Sequence, residues 1–416
     1  MSFQHSTQLG LLVVGLVLAN IGPVAAVEGR VIDALTGKGI ADATVTAGTT
    51  AAHADAAGWF AIELDTAAVM ARAPGYRALA AETNDRDATT PIRLTPFVPK
   101  ALYLSFYGIG YKPIRDAALN TIRGKSGVNA LVIDVKNDQG LVAFKTAEPL
   151  AQEVRADRIT TIPDLRGLLK ELHDADIYAI ARIVVFKDDR LGSSRSDLAV
   201  KTTAGAIFRD RDGMAWTDPF RREVWNYNLD LAVEAARAGF DEIQFDYVRL
   251  PDQKDVRFSQ NSTMTSRIMA ISGFLTEARE KLIPYNVFLA VDIFGYVCWN
   301  ADDTQIGQRI EDIIPLVDYV SPMLYPSGFE FGIPGYRDPV QHPYEIVRYS
   351  LERAIARTGV SPLRFRPWLQ AFRDYAFDRR NFGEDEVKAQ IKGADGFGSD
   401  GWMLWNPRND YAGLGF

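Results

Sequence analysis

The sequence has a single cysteine, Cys298, and only four histidines. One thiol cannot form an intramolecular disulfide, so no cross-linked framework holds the fold. His5 and His53 lie early in the chain, which leaves His173 and His342 for the rest. Two imidazoles are too few for a metal site built on three of them, and neither a metal nor a cofactor is expected. Basic charge is also in short supply. With 46 Lys and Arg against 53 Asp and Glu, the net charge is −7, the wrong sign for a general nucleic-acid binder. No G-x-S-x-G elbow occurs, which excludes a serine hydrolase of that type. The stretch "YGIGYKP" only imitates a dinucleotide-binding glycine loop and is read as a plain loop. One long apolar run exists, Leu9–Ala19. No other segment approaches the roughly 20 apolar residues that a membrane-spanning helix needs.

That run is broken by Asn20, Gly22 and Pro23, and Val24-Ala25-Ala26 follows. This is the layout of a secretory signal peptide over residues 1–26, although its first residues carry no Lys or Arg. The expectation is an exported protein, secreted or periplasmic, without a membrane span once the leader is cleaved. An uncleaved N-terminal anchor is the alternative.

Residues 28–97 consist of short alternating runs, such as Gly29–Ile32 and Ala43–Thr46, separated by the turn signals Leu35–Gly39 and Asp55–Gly58. That pattern predicts a small β-sandwich. Its segments "GRVIDALTGKGIADATVTA", "ADAAGWFAIEL" and "ARAPGYRALAAET" resemble the carboxypeptidase regulatory-like domain. The resemblance implies a seven-strand accessory module. Trp59, Phe60 and Tyr76 are read as filling its small core, with contact to sugar rings as the alternative. Pro91, Pro96 and Pro99 predict a stiff linker.

From residue 98 to 416 the texture changes to β-branched or aromatic runs alternating with helical patterns, the signature of repeated βα units. Strands are predicted at Ala101–Tyr107, Asn129–Lys136, Ile177–Val184, Asp241–Asp246, Asn286–Asp292, Val317–Met323, Arg364–Gln370 and Gly401–Trp405. Helices are predicted between them, for example over Pro163–Asp174, Pro219–Ala238 and Tyr344–Arg357. Eight such strands close into a (β/α)8 barrel, a TIM barrel.

Side chains alternate between the two faces of a strand. Leu131, Ile133 and Val135 would face the helices and send Asp134 and Lys136 into the bore. By the same count Arg182, Gln244, Asp246 and Asp292 point inward, with Tyr103, Ser105, Tyr107, Ser321, Tyr325, Arg366, Trp368, Gln370, Met403 and Trp405. A bore filled only for stability is lined by Val, Ile and Leu. Acids and bases buried together must pair or face a ligand, and here they gather at the C-terminal strand ends, where barrel enzymes keep their sites.

Two carboxylates at neighbouring strand ends suit glycoside hydrolysis, one as acid and the other as nucleophile. Aromatic faces stack on sugars, and Arg, Asn and Gln bond their hydroxyls. "AGFDEIQFDYVRLP" resembles the fourth-strand segment of glycosyl hydrolases distantly related to the α-amylase and chitinase-like barrels. "ALVIDVKNDQG" resembles their second-strand segment and "VDYVSPMLYPSGF" their sixth. The resemblance spans residues 101–416 and implies barrel and reaction class, not substrate. The chain departs from the α-amylase pattern in having Gln244 where those barrels place Arg, and Asp292 where they use Glu.

Asp246 is the candidate nucleophile or transition-state stabiliser, Asp292 the candidate general acid, and Asp134 the substitute acid. Their spacing on neighbouring strands favours retention. The substrate-binding candidates are Lys136, Arg182, Asp188, Gln244, Tyr247, Arg249, Tyr325, Gln370, Trp405 and Asn406. The expected partner is a carbohydrate. A non-catalytic polysaccharide-binding barrel is the main alternative. Two lesser ones are imine chemistry at Lys136 or Lys187 and a cation held by Asp134, Asn137 and Asp138.

Overall fold

The computed structural model describes residues 26–63, 68–82, 90–124 and 127–415. The expected leader therefore lies outside the described residues except for Ala26, its last residue. Among the described residues, no helix is long and apolar enough to cross a membrane.

Seven short strands come first: β1 (Ala26–Asp33), β2 (Thr44–Ala47), β3 (Thr50–His53), β4 (Trp59–Glu63), β5 (Ala68–Arg72), β6 (Leu79–Glu82) and β7 (Ile92–Leu94). They form two sheets, ordered β4-β1-β7 and β3-β2-β5-β6. The buried residues Val31, Val45, Phe60, Ile62, Val69 and Ile92 belong to one core. Asp side chains build the turns between strands. Asp33 accepts from the Leu35 and Thr36 amides, and Asp55 from those of Ala57 and Trp59. Phe60 is a core residue, but Trp59 is 53% exposed on the other face of its strand, which corrects its assignment to the core. The proline-rich stretch is also not a free linker. Part of it is β7, which pairs with β1, and the Phe97 amide donates to the Gly75 carbonyl.

The remaining elements form a closed parallel barrel, a (β/α)8 fold. Its strands are β8 (Lys100–Leu104), β9 (Ala130–Lys136), β10 (Tyr178–Val184), β12 (Glu242–Asp246), β14 (Phe288–Phe294), β15 (Tyr319–Met323), β16 (Trp368–Gln370) and β17 (Trp402–Trp405). A two-residue ribbon, β11 (Lys201–Thr202) with β13 (Val256–Arg257), ties together loops outside the barrel. Helices cover the outside, among them Leu165–Asp174, Arg222–Ala238 and Pro343–Thr358. They begin and end where chain chemistry allows. The Asp164 carboxylate caps the first of them by accepting from the Gly167 amide. Gly239, at φ 116°, stops the second in a left-handed conformation that a side chain would strain.

Three strands depart from the sequence reading. β16 starts only at Trp368, because Pro362–Arg364 forms a turn where the strand was expected to begin. β8 stops at Leu104, because the Ser105 hydroxyl accepts from the Gly108 amide and starts a short helix. Tyr107 consequently leaves the bore and is 53% exposed. In β9 the pairing with β10 slips by one residue, so that Arg182 is level with Asp134 but Ile183 is level with Lys136. Such a bulge reverses the facing of every residue beyond it. Asp134 stays inside, while Lys136 turns outward toward Tyr227, with its ammonium 5.3 Å from the ring centre.

Contacts from β5 onward seat the small sheets against the barrel. Arg72 reaches Asp318 and Asn286, the Gly75 amide donates to Asp400, and Arg77 meets Asp176. Each of those barrel residues sits one or two positions before a strand begins. The seven-strand region therefore covers the N-terminal end of the barrel, opposite the end where the strands finish.

Candidate functional site

The bore contains two polar clusters, one at each end. At the N-terminal end Arg366 pairs with Glu242 and Asp400, and the Tyr178 hydroxyl donates to Glu242. All three charged side chains are fully buried. Tyr319 lies under the guanidinium, 4.0 Å from it. This cluster plugs the floor. It contains the internal pairing that a structural bore requires; the strand alternation sends Arg366 inward, but its partners Glu242 and Asp400 were missed although Glu242 has the same parity as Gln244 and Asp246.

The second cluster lies at the C-terminal strand ends and is organised by Arg182 on β10. Its Nη1 donates to Asp134 Oδ1 at 2.6 Å, and its Nε donates to Asp246 Oδ2 at 3.0 Å. Nη2 also donates to Asp246 Oδ2. The Nε atom is 4.0 Å from Asp292 Oδ2 as well. The carboxyl oxygens of Asp246 and Asp292 are therefore no more than 7.0 Å apart. Strand register explains the neighbourhood: Gln244 pairs with Ala290 and Phe245 with Val291, so the next residues on each strand are the two acids.

The three carboxyls have different surroundings. Asp246 is 5% exposed and also accepts from the Tyr247 amide at 2.5 Å. Asp134 accepts from Arg182 and, at 2.6 Å, from the Tyr103 hydroxyl; burial pushes its pKa up against both bonds. Asp292 is 1% exposed. Its Oδ1 accepts from Trp368 Nε1 at 2.8 Å, and its Oδ2 has no hydrogen-bond partner. Burial, and then the negative charge of Asp246, hold its pKa well above the carboxylate range, against Arg182 and Trp368. Asp292 thus sits where burial favours its protonated form, beside an Asp246 whose Oδ2 accepts from the Arg182 guanidinium.

Aromatic rings enclose this trio. Trp405 lies over Arg182 at 4.8 Å and stacks on Tyr103 at 3.9 Å. Tyr325 sits beside the acids: burial, followed by the charges of Asp292 and Asp246, raises its phenol well above the usual value. Tyr247 has φ 51°, a left-handed backbone that is strained in a side-chain-bearing residue.

A cavity of about 660 Å³ opens on the same end, lined by residues that follow β10, β12, β14, β15 and β16. Tyr247 and Arg249 are on its wall, with Phe294, Tyr296, Phe331 and Tyr375. Asp246 and Asp292 are not; their neighbours Tyr247 and Phe294 are.

Several substrate-binding candidates lie elsewhere. Lys136 and Asp188 form a fully buried ion pair, with nitrogen and oxygen 2.8 Å apart. The other Asp188 oxygen caps a helix through the Leu191 amide. The bulge in β9 made this pairing, and it removes both residues from the mouth. Gln370 bonds the Ser327 amide, the Ser327 hydroxyl and the Phe372 carbonyl. Asn406 donates to the carbonyls of Ala371 and Asp410. Both amides hold loops in place and have no donor left for a ligand. Gln244 is fully buried in mid-bore, against Ser321 and Met403. Arg182 contacts the acids and Trp405 lies over Arg182, and neither lines the cavity.

The lesser alternatives fare differently from one another. Lys187 is ion-paired with Asp210 and Asp212, and its pKa is raised, the opposite of what an imine-forming amine needs. Asn137 Oδ1 accepts from the Leu141 amide, and Asp134 is held by Arg182, so the two do not converge on a shared ion. Cys298 is buried, and its thiol is pushed up to about 12, which leaves it inert. Sequence reasoning missed Tyr296, Phe331 and Tyr375, since they lie on loops where no periodicity marks a face.

No curated protein matches the chain. Among solved structures, the glycoside hydrolase domain of PgaB (BpsB) from Bordetella bronchiseptica has the same fold. It aligns with TM-score 0.54 and 14% identity over 75% of this chain and 95% of its own. A hypothetical protein from Ruminiclostridium thermocellum is 34% identical over 46% of this chain and 96% of its own, with TM-score 0.40. The spore cortex-lytic enzyme SleL of Bacillus megaterium gives TM-score 0.46 and 14% identity over 80% of this chain and 77% of its own. The model of the "putative glycosyl hydrolase domain" matches residues 101–411, nearly the whole barrel, and the chain belongs to that family.

Proposed function

We propose that this protein is an exported glycoside hydrolase that cleaves a polysaccharide or oligosaccharide with Asp246 and Asp292. The observation that carries the reading is the pair of unlike carboxyls on one guanidinium. Asp246 accepts hydrogen bonds from the Arg182 guanidinium, and Asp292 keeps one oxygen without a hydrogen bond in a setting that favours its protonated form. Acid–base assignments follow from environments that push two carboxyls apart. Asp292 donates a proton to the leaving oxygen. Asp246 attacks or stabilises the anomeric carbon, and Arg182 balances its charge. The bound of 7.0 Å between their oxygens admits the spacing of roughly 5–5.5 Å found in retaining enzymes. Export rests on the run Leu9–Ala19 and the small residues after it. The N-terminal sheets are assigned a scaffold role, as an accessory module over residues 28–97.

One observation favours a second reading. Asp292 is 1% exposed, and neither acid lines the cavity. A barrel that binds carbohydrate without cutting it would look like this.

Reducing-sugar release from a panel of envelope and extracellular polysaccharides separates the two. Wild type should release sugar, and Asp246→Asn and Asp292→Asn should each lower kcat by about 10²–10⁴ with the fold intact. In the retaining case, azide should restore turnover to Asp246→Ala and yield a glycosyl azide of inverted configuration. Binding without release supports the second reading. Equal release by wild type and Asp246→Asn removes Asp246 from the mechanism.

A further inference from the structure

Two exposed rings on the cavity wall have no role in the chemistry above. Phe331 is 85% exposed, yet its loop is fixed. Its amide donates to the Tyr296 hydroxyl at 2.9 Å, and the same hydroxyl donates to the Gly332 carbonyl at 3.1 Å. Tyr375, 45% exposed, lies parallel to Phe372 with an interplanar angle of 4°. Phe372 in turn meets Tyr325 edge-on at 5.3 Å, and Tyr325 stands beside the two carboxyls. A line of rings thus leads from the acids to the cavity.

The wall at Thr304 is also held in place. Thr304 and Gln305 are consecutive residues in left-handed backbone, at φ 53° and 59°. Asp303 holds them there by accepting from the Gln305 and Gly307 amides and from Arg267. Strain of this kind persists where the surroundings enforce it, and it gathers at binding sites. Charges of both signs are mixed on the wall. Lys187 is ion-paired with Asp210 and Asp212, and Arg211 and Arg249 line the same cavity as Asp252 and Glu330, a small net excess of acid. A strongly anionic or cationic ligand would find no complementary field. A pyranose presents an apolar C–H face that suits the negative face of an aromatic ring, with hydroxyls around its edge for Asn300, Arg249 and Asp252.

We propose that Phe331 and Tyr375 are sugar-stacking platforms of a groove continuing from Asp246 and Asp292, and that its occupant is an uncharged polysaccharide gripped over several rings. The inference rests on the hydrolase reading for its substrate class but not for its test. A cavity of about 660 Å³ fits a segment of several rings better than a single terminal sugar.

The test is affinity electrophoresis of the full-length Asp246→Asn protein in native gels. The gels contain hydroxyethyl cellulose, xyloglucan, dextran, soluble starch, glycol chitin or, as the charged arm, polygalacturonate. At least one uncharged polymer should retard the protein, and polygalacturonate should not. Adding Phe331→Ala or Tyr375→Ala should each weaken that retardation about three- to tenfold. Three results overturn the proposal: retardation unaffected by both substitutions, retardation by polygalacturonate alone, and retardation by none of the polymers. Ring-dependent retardation without cleavage by wild type leaves the groove standing and removes hydrolysis. Cleavage that ignores both rings does the reverse.

Discussion

At the scale of single residues, Asp292 is the most informative side chain. Its folded pKa lies above the value of about 3.9 that it has when unfolded. The stability it contributes is therefore full below the unfolded pKa and is lost as pH rises through the folded one. Asp292→Asn keeps the Trp368 hydrogen bond and removes the titration. Its thermal midpoint should match wild type most closely near pH 4 and gain on it steadily toward pH 8. A constant offset across that range would show that Asp292 does not titrate differently on folding. In the catalytic reading, the same group sets the alkaline limb of activity, since the acid must be protonated. Trp368→Phe deletes a bond that lowers this pKa, so the alkaline limb should move to higher pH; a limb that stays put would exclude Asp292 as its source. The alternation of β12 and β14 made Asp246 and Asp292 legible in the sequence. Their different surroundings were not, because these depend on which strands bring Arg182 and Trp368 alongside.

At the scale of elements, all eight barrel strands and the principal helices were legible, because buried parallel strands read as apolar runs and amphipathic helices repeat every three to four residues. The one-residue slip in β9 was invisible. A bulge leaves no local mark in a run such as "ALVIDVKN", and it is fixed only by pairing with β10. Its consequence is testable. Lys136→Met leaves Asp188 as an uncompensated buried charge, which should cost about 3–5 kcal/mol. Adding Asp188→Asn removes that charge and keeps an oxygen for the helix cap at Leu191. The double variant should therefore be more stable than Lys136→Met alone, as judged by urea midpoints. If it is less stable, by the sum of the two single losses, the residues do not act as a pair.

At the scale of the whole molecule, the two ends of the barrel have separate roles. At the C-terminal end the strands carry the acids and the loops beyond them line the cavity. At the other end the seven-strand region sits over the floor, where Arg366, Glu242 and Asp400 are sealed. That seal is continuous with the docking contacts, because Asp400 accepts both from Arg366 and from the Gly75 amide. The sequence gives the two regions but not this arrangement, since Arg72 and Asp318 are 246 positions apart. Arg72→Ala tests it. The substitution removes the bonds to Asp318 and Asn286 in a setting where Arg72 is 4% exposed. Hydrogen bonds to a buried charge are worth about 1.5–3 kcal/mol, and the barrel should lose stability of that order in denaturant. Hydrolysis and polysaccharide retention should be unchanged at temperatures where the variant is folded, because the altered contacts lie at the far end from the acids. Activity lost without a loss of stability would mean that the small sheets act on the site itself rather than closing the floor beneath it.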